Sequence, residues 1–163
     1  MIRPQFPYPT PRDCTDEDFG YIFNSNNVPA LGTSITAGSQ LLNIPLLLDS
    51  DAPFLWRAIA LEASLLMVRF KEPAGNYLSQ GFIPVGLYGV PSSGVVNPGT
   101  SVLQGQPVAL EADAGDGQGA IYCPAGGIVE VNFYNATSGS VTPPSIQLLG
   151  VKRFPKSLRR KCA

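Results

Sequence analysis

The longest apolar stretch in the chain is Leu41–Phe70, two hydrophobic runs joined by the acidic turn Asp49-Ser50-Asp51-Ala52-Pro53. Only Asp49, Asp51, Arg57, Glu62 and Arg69 are charged within it. A stretch this apolar must supply the centre of the core, because leaving it in water would forfeit the main driving force of folding. Its second half has two readings. Asp51 ahead of Ala52-Pro53 is an acceptable helix N-cap, and Phe54–Phe70 is rich in Leu, Ala, Met, Arg and Glu, all good helix formers. As a strand, alternation puts Phe54, Trp56, Ala58 and Ala60 on one face and Leu55, Arg57, Ile59 and Leu61 on the other, both apolar enough to be covered. The neighbouring segments all read as strands and turns, and a lone helix would need its own packing partner. Context therefore favours a strand over Phe54–Glu62, a bend, and a second strand over Leu65–Lys71.

Elsewhere the pattern is short strands punctuated by turn residues. In Ile128–Asn135, Ile128, Glu130, Asn132 and Tyr134 alternate with Val129, Val131 and Phe133, the period of a strand with one face on the core. With Ala120–Cys123 it predicts a hairpin across Pro124-Ala125-Gly126-Gly127. Further strands are predicted at Phe19–Phe23, Gln40–Leu48, Tyr77–Val85, Pro107–Ala112 and Ser145–Phe154, with Pro45 admissible only at an edge, a bulge or a bend. Glu72–Asn76, the glycine-rich 86–105 and Asp113–Gly119 read as turns and loops. Such spacing predicts an all-β fold, an antiparallel β-sandwich or barrel. The chain divides into an extended N-terminal arm (1–18), a β-sandwich domain (19–154) and a basic C-terminal tail (155–163). Pro4, Pro7, Pro9 and Pro11 deny the arm a regular ladder and favour polyproline II, with Phe6 and Tyr8 set between them.

Composition narrows the chemistry. The 163 residues contain no histidine, which removes the commonest general base and metal ligand and every Ser-His or Cys-His catalytic pair. Charged residues make up 14%, well below the roughly 25% of ordinary soluble domains. A surface so poor in charge is covered by neutral loops or by an assembly. No apolar run is long enough for a membrane-spanning helix and the first residues lack the apolar core of a secretory signal, so neither is expected. The glycine loops match no phosphate-cradling motif, and no cofactor is expected. Asp49 and Asp51 with Glu111, Asp113 and Asp116 could offer oxygen ligands to calcium, but their spacing fits no calcium loop and aspartates are ordinary turn formers. No two carboxylates are placed as an acid–base pair. Asn135-Ala136-Thr137 fits a glycosylation sequon and is read as coincidental.

The net charge of −1 hides an asymmetry: Lys152, Arg153, Lys156, Arg159, Arg160 and Lys161 crowd the C-terminal end of an otherwise acidic chain. The tail can be solvated, bind nucleic acid through phosphates, or dock on an acidic protein surface. The acidic patch Asp13, Asp16, Glu17 and Asp18 favours the last. It surrounds Cys14, while Cys162 lies beside Arg159, Arg160 and Lys161, so opposite charges would bring the two thiols together and the cations would favour the Cys162 thiolate. This motivates the hypothesis of a Cys14–Cys162 bridge, most usefully between subunits, against two free terminal thiols, with Phe6 and Tyr8 as further candidate inter-subunit contacts. Cys123 in the strand-like IYCP reads as a buried small hydrophobe.

Four segments, taken in order, carry a resemblance: IPLLLDSDAPFLWRAIAL, VRFKEPAGNYLS, AIYCPAGGIVEVNFYNAT and SIQLLGVKRF. Together they resemble small β-sandwich structural proteins of tailed bacteriophages, in which a D-APF-R segment opens a core strand and an L-GVKRF strand closes the sandwich. The resemblance covers Leu42–Phe154 and excludes both arms. It implies a jelly-roll-like virion accessory protein, not an enzyme: a capsid decoration (cement) protein, or a neck or tail component. The partners it implies are copies of itself, as a homo-oligomer, and other virion proteins such as the major capsid protein. The protein would be assembled into the virion in the bacterial cytoplasm, with no membrane and no small-molecule substrate, and nucleic acid is not the expected partner of the tail. The alternative is a β-sandwich that recognises carbohydrate on a host surface. That would need an exposed aromatic platform, and the only tryptophan, Trp56, lies in the core run.

Overall fold

The computed structural model describes residues 14–91, 105–109 and 120–156. They form ten strands: β1 (Cys14–Phe23), β2 (Gln40–Leu47), β3 (Phe54–Leu61), β4 (Met67–Lys71), β5 (Ile83–Pro84), β6 (Gly89–Pro91), β7 (Gly105–Ala109), β8 (Ile121–Cys123), β9 (Ile128–Tyr134) and β10 (Ile146–Pro155). Two single 3-10 turns, Pro29–Leu31 and Val85–Tyr88, are the helical elements among these residues. One sheet has the order β1-β10-β3-β7-β6, with β8 also pairing β3 beside β7; the other has the order β2-β9-β4-β5. All pairings are antiparallel. The fold is an antiparallel β-sandwich, and Phe54–Leu61 is a strand.

Tyr21, Phe23, Phe54, Trp56, Ile59, Leu61, Ile146 and Leu148 from the first sheet meet Ile44, Leu46, Val68, Phe70, Val129, Val131 and Phe133 from the second. The Trp56 and Phe70 rings meet edge to face across the layers at 6.1 Å, and the indole N–H donates to Ala58 O at 3.0 Å. That bond satisfies the one polar atom of a fully buried tryptophan.

Strict alternation would put Ile59 and Leu61 on the face opposite Phe54 and Trp56, but all four lie in the core. A bulge explains the difference. The β3–β10 register steps from Ala58↔Leu149 to Trp56↔Gly150, leaving Arg57 as an extra residue on β3. One unpaired residue reverses the phase of everything beyond it. A second bulge lies in β2, between Leu41↔Phe133 and Ile44↔Val131. There Asn43 adopts a φ of 57° and donates its backbone N–H to Asn132 Oδ1 at 2.7 Å. Asparagine enters this left-handed region more readily than most residues. Pro45 sits on β2, an outer strand of its sheet, where a missing N–H is tolerated.

Several boundaries differ from the sequence expectation. β1 starts at Cys14 rather than Phe19, so residues 14–18 belong to a strand. The prolines of the arm stop at Pro11, and every later residue of β1 has an N–H to offer β10. Tyr77–Val85 contributes only the two residues of β5, because Pro84 and the turns around Gly81 interrupt it. The sequon asparagine is fully buried: Asn135 Nδ2 donates to Ile35 O and Gly139 O, both at 2.7 Å, and Oδ1 accepts from the Thr137 N–H and hydroxyl. Asn135 is therefore a structural knot in the folded chain.

Gly150 marks the β3–β10 bulge. A Cβ built there would lie 1.9 Å from Leu55 O, a backbone atom held in the ladder. Gly150→Ala is expected to destabilise the fold by about 3 kcal/mol or more. Gly139→Ala, whose Cβ would meet nothing within 4 Å, is expected to stay within about 0.5 kcal/mol. Denaturant unfolding of the two variants, followed by Trp56 fluorescence, checks the contrast.

Candidate functional site

The first residues of β1, the last of β10 and the Asp49–Pro53 turn converge at one corner of the sandwich. Antiparallel pairing of β1 with β10 sets Cys14 opposite Pro155, Asp16 opposite Arg153 and Glu17 opposite Lys152. Two consecutive cations on a strand point to opposite faces, and here both are buried: Lys152 is 3% exposed and Arg153 1%. Isolated buried charges are prohibitively costly, so each must find carboxylates.

Arg153 finds Asp16. Nε donates to Oδ1 at 2.8 Å and a terminal nitrogen to Oδ2 at 3.0 Å, the parallel fork that guanidinium and carboxylate geometry favour. Its backbone N–H donates to Pro53 O at 3.0 Å, tying β10 to the turn. Lys152 finds the turn itself: Nζ donates to Asp49 Oδ2 at 2.6 Å and to the two Asp51 oxygens at 3.0 and 3.1 Å. The ammonium also lies 3.9 Å from the centre of the Phe19 ring. Tyr21 completes the cluster, its hydroxyl accepting the Asp49 N–H at 3.0 Å. Gly126 N–H donates to Asp49 O at 2.8 Å, so the β8–β9 turn is held in the same knot.

Burial opposes the charge on Lys152, but hydrogen bonds to Asp49 and Asp51 outweigh it and hold its pKa above the ordinary lysine value. The amine stays protonated near neutrality and is a clasp rather than a nucleophile. Burial raises the pKa of Tyr21, partly offset by the Asp49 N–H hydrogen bond. The Cys123 thiol is free and fully buried, and its pKa is pushed up to about 12, first by burial and then by Glu72. It is the inert hydrophobe the sequence predicts.

Asp16, expected at a subunit contact, is paired within its own chain. Its partner Arg153, counted with the basic tail from sequence, is an interior strand residue, as is Lys152. Glu17 and Asp18 are exposed on β1. Cys14 is buried and is not a free thiol. Asp13, Phe6, Tyr8, Cys162, Arg159, Arg160 and Lys161 lie outside the described residues, as do Glu111, Asp113 and Asp116. Asp49 and Asp51 are engaged with Lys152, and no group of three metal-ligating side chains occurs among the described residues. No described helix is long and apolar enough to cross a membrane. Sequence reasoning missed the clasp, although two adjacent cations inside a predicted strand are a signal that both must be neutralised locally.

Two surface features lie near or away from this corner. A shallow groove of ≈ 380 Å³ is lined by Asp18, Phe19, Gly20, Leu149 and Gly150 on the first sheet. On the second sheet Arg69 stacks over the half-exposed ring of Tyr77 at 3.5 Å and donates from Nε to Ser79 O. Comparisons with protein-family models, with curated proteins and with solved structures gave no match.

Asp16→Asn is expected to destabilise the fold by about 3 kcal/mol, because it breaks the charged fork to a buried guanidinium. Asp49→Asn is expected to cost well under half of that, since its side chain is 54% exposed and solvent screens the pair. Urea titration of both variants provides the comparison. The corner also fixes a pH response. Tyr21 and Lys152 both have folded pKa values above their ordinary values of 10.0 and 10.5, so their contributions are complete below pH 10 and are lost as pH rises through the folded values. Because the buried Cys123 thiol is likewise raised from its ordinary 9.0 to about 12, the melting temperature is expected to fall above about pH 9, and less steeply in Tyr21→Phe beyond pH 10, as differential scanning calorimetry would record.

Proposed function

We propose that the chain is a non-enzymatic structural protein of a phage virion, one that decorates or cements the capsid through its terminal arms. The observation that carries this reading is the register of β1 on β10. It brings Cys14 and Pro155 side by side, so the segments before and after the sandwich leave from a single corner. Two arms emerging together can engage one neighbour from one site, adding contact area without a larger core. The sequence resemblance over Leu42–Phe154 supports the virion context. Strand order agrees with a jelly-roll arrangement: β1, β3, β8 and β10 lie in one sheet and β2, β4, β5 and β9 in the other, so most successive connections cross between layers.

The Cys14–Cys162 bridge belongs to this proposal, and the pairing of Cys14 with Pro155 brings closure within one chain into reach beside a bridge between subunits. Only six residues lie between Pro155 and Cys162 in the sequence, a length sufficient to span back to Cys14 on the neighbouring strand. Closing the two ends of the chain would stabilise it by restricting the unfolded state, on the order of 5 kcal/mol for a loop this long. Host-surface carbohydrate binding is a second reading, favoured by the exposed Tyr77 ring already oriented by Arg69. Trp56, fully buried, offers nothing to such a platform.

Truncations should respect the strand ends. Deleting 1–13 or 157–163 leaves β1 and β10 intact, and each deletion is expected to lower the copy number in purified particles at least tenfold. Quantitative mass spectrometry of virions gives the number. Normal incorporation of both truncated forms would overturn the arm-mediated role, and specific glycan binding by a protein absent from particles would favour the second reading.

A further inference from the structure

On the outer face of the second sheet, register alone lines up four unlike side chains. Pro45 pairs with Glu130, Glu130 with Lys71, and Lys71 bridges to Tyr77, so four neighbouring segments each contribute one residue to a single cross-strand row. Strand spacing makes the row roughly 14 Å long. Its residues alternate with core residues: Leu46 follows Pro45, Val129 and Val131 flank Glu130, Phe70 precedes Lys71 and Leu78 follows Tyr77. The row therefore faces outward.

Tyr77 ends the row as a ring held in place. The Arg69 guanidinium covers one of its faces at 3.5 Å, and Arg69 is itself fixed by the bond from Nε to Ser79 O at 3.0 Å. Tyr77 is still 43% exposed, so the rest of the ring meets solvent. At the centre of the row Lys71 Nζ donates to Glu130 Oε2 at 3.2 Å, with both side chains 30% exposed. An ammonium has three donors and a carboxylate two acceptor oxygens, so this pair keeps hydrogen-bonding capacity for a ligand. Beside it opens a groove of ≈ 360 Å³, walled by the Glu72–Gly75 and Pro124–Gly127 turns. Both walls are preformed. Gly75 and Gly126 take φ values of 95° and 70°, Gly75 N–H donates to Glu72 O at 2.9 Å, and Gly127 N–H donates to Pro124 O at 2.8 Å. Asn76 Nδ2 donates to Glu72 Oε1 and steadies that carboxylate at the rim.

We propose that this row and groove are a binding site for an uncharged oligosaccharide, with Tyr77 stacking on one pyranose ring and the Lys71–Glu130 pair holding hydroxyls of the next. The chemistry selects the ligand. A pyranose presents an apolar C–H face and a rim of hydroxyls, and the row sets an aromatic face beside donors and acceptors. Two cations, Arg69 and Lys71, are matched by two carboxylates, Glu72 and Glu130, so a charged glycan gains nothing by entering. An ion pair at the centre is also unlike the middle of a protein interface, which is depleted of charge. The site deepens the carbohydrate reading and rests on it. A particle-bound protein can carry it equally, because β1 and β10 lie in the other sheet.

The test uses the isolated full-length protein on an array of short gluco-, manno- and galacto-oligosaccharides, with sialylated and sulfated oligosaccharides as charged arms. Binding to a neutral oligosaccharide is expected, and weaker binding to the charged ones. Titration of the best neutral binder, followed by heteronuclear NMR, should shift the amides of Lys71, Tyr77, Gly127 and Glu130. Tyr77→Ala should weaken binding about tenfold. Glu130→Gln should weaken it as well, whereas Ile22→Ser, at an exposed position of the other sheet, should bind as the parent does. Each variant should keep the near-ultraviolet signal of Trp56, which separates lost binding from lost fold. Undiminished binding in both Tyr77→Ala and Glu130→Gln would overturn this site and leave the carbohydrate reading standing. No binding to any oligosaccharide would overturn both. Preference for the charged arms would overturn the choice of an uncharged ligand. Shifts at the same amides on raising protein concentration alone would assign the face to a second copy and overturn the site.

Discussion

Everything at the corner where β1, β10 and the Asp49–Pro53 turn meet depends on β10 carrying two adjacent cations into the interior. Strand geometry sends Lys152 and Arg153 to opposite faces, and low dielectric forbids either from standing alone. Each therefore recruits a different element: Lys152 takes the Asp49–Asp51 turn, and Arg153 takes β1 through Asp16. The β8–β9 turn joins through Gly126 and Asp49. Pairing costs desolvation, and an apolar pair of similar volume could be equally stable. What the charges supply is orientation, because a fork to Asp16 accepts only one register of β1 on β10, whereas a hydrophobic patch would tolerate a slip. The corner from which the arms leave is thus defined to the residue.

The free edges of the two sheets are each blunted differently. β2 carries Pro45 and the Asn43 bulge, β1 presents Glu17 and Asp18, and β5 and β6 are two and three residues long. These are recognised devices against edge-to-edge pairing. A sandwich protected in this way is guarded against extending its sheets into a neighbour. That protection matters for a protein proposed to pack densely on a particle, where an unguarded edge would polymerise.

Much of the fold was legible in the sequence. The alternation in Ile128–Tyr134 named its core face correctly, and Phe54–Leu61 was identified as strand by its surroundings against its helix propensity. The phase of β3 was not legible beyond Arg57, because a bulge is a one-residue event with no fixed residue type on the bulged strand. Its trace was Gly150, on the partner strand, where close backbone approach excludes any side chain. The clasp was missed for a related reason. Lys152 and Arg153 were grouped with the basic residues that follow them, although they sit inside the apolar run Leu148–Phe154. Charge counted along the chain concealed charge buried in a strand.

The pairing of β1 with β10 also imposes an order of events. Asp16 and Arg153 are 137 residues apart, so the edge of the first sheet cannot be completed until nearly the whole described chain exists. Local pairs such as β4 with β5 and β6 with β7 can organise early, but β1 must wait for its last-made neighbour. During synthesis its alternating Phe19, Tyr21 and Phe23 are a sticky, unshielded ribbon. Its aspartates and glutamate then act as gatekeepers, keeping the strand soluble for the interval before β10 arrives and turns Asp16 into half of a buried pair.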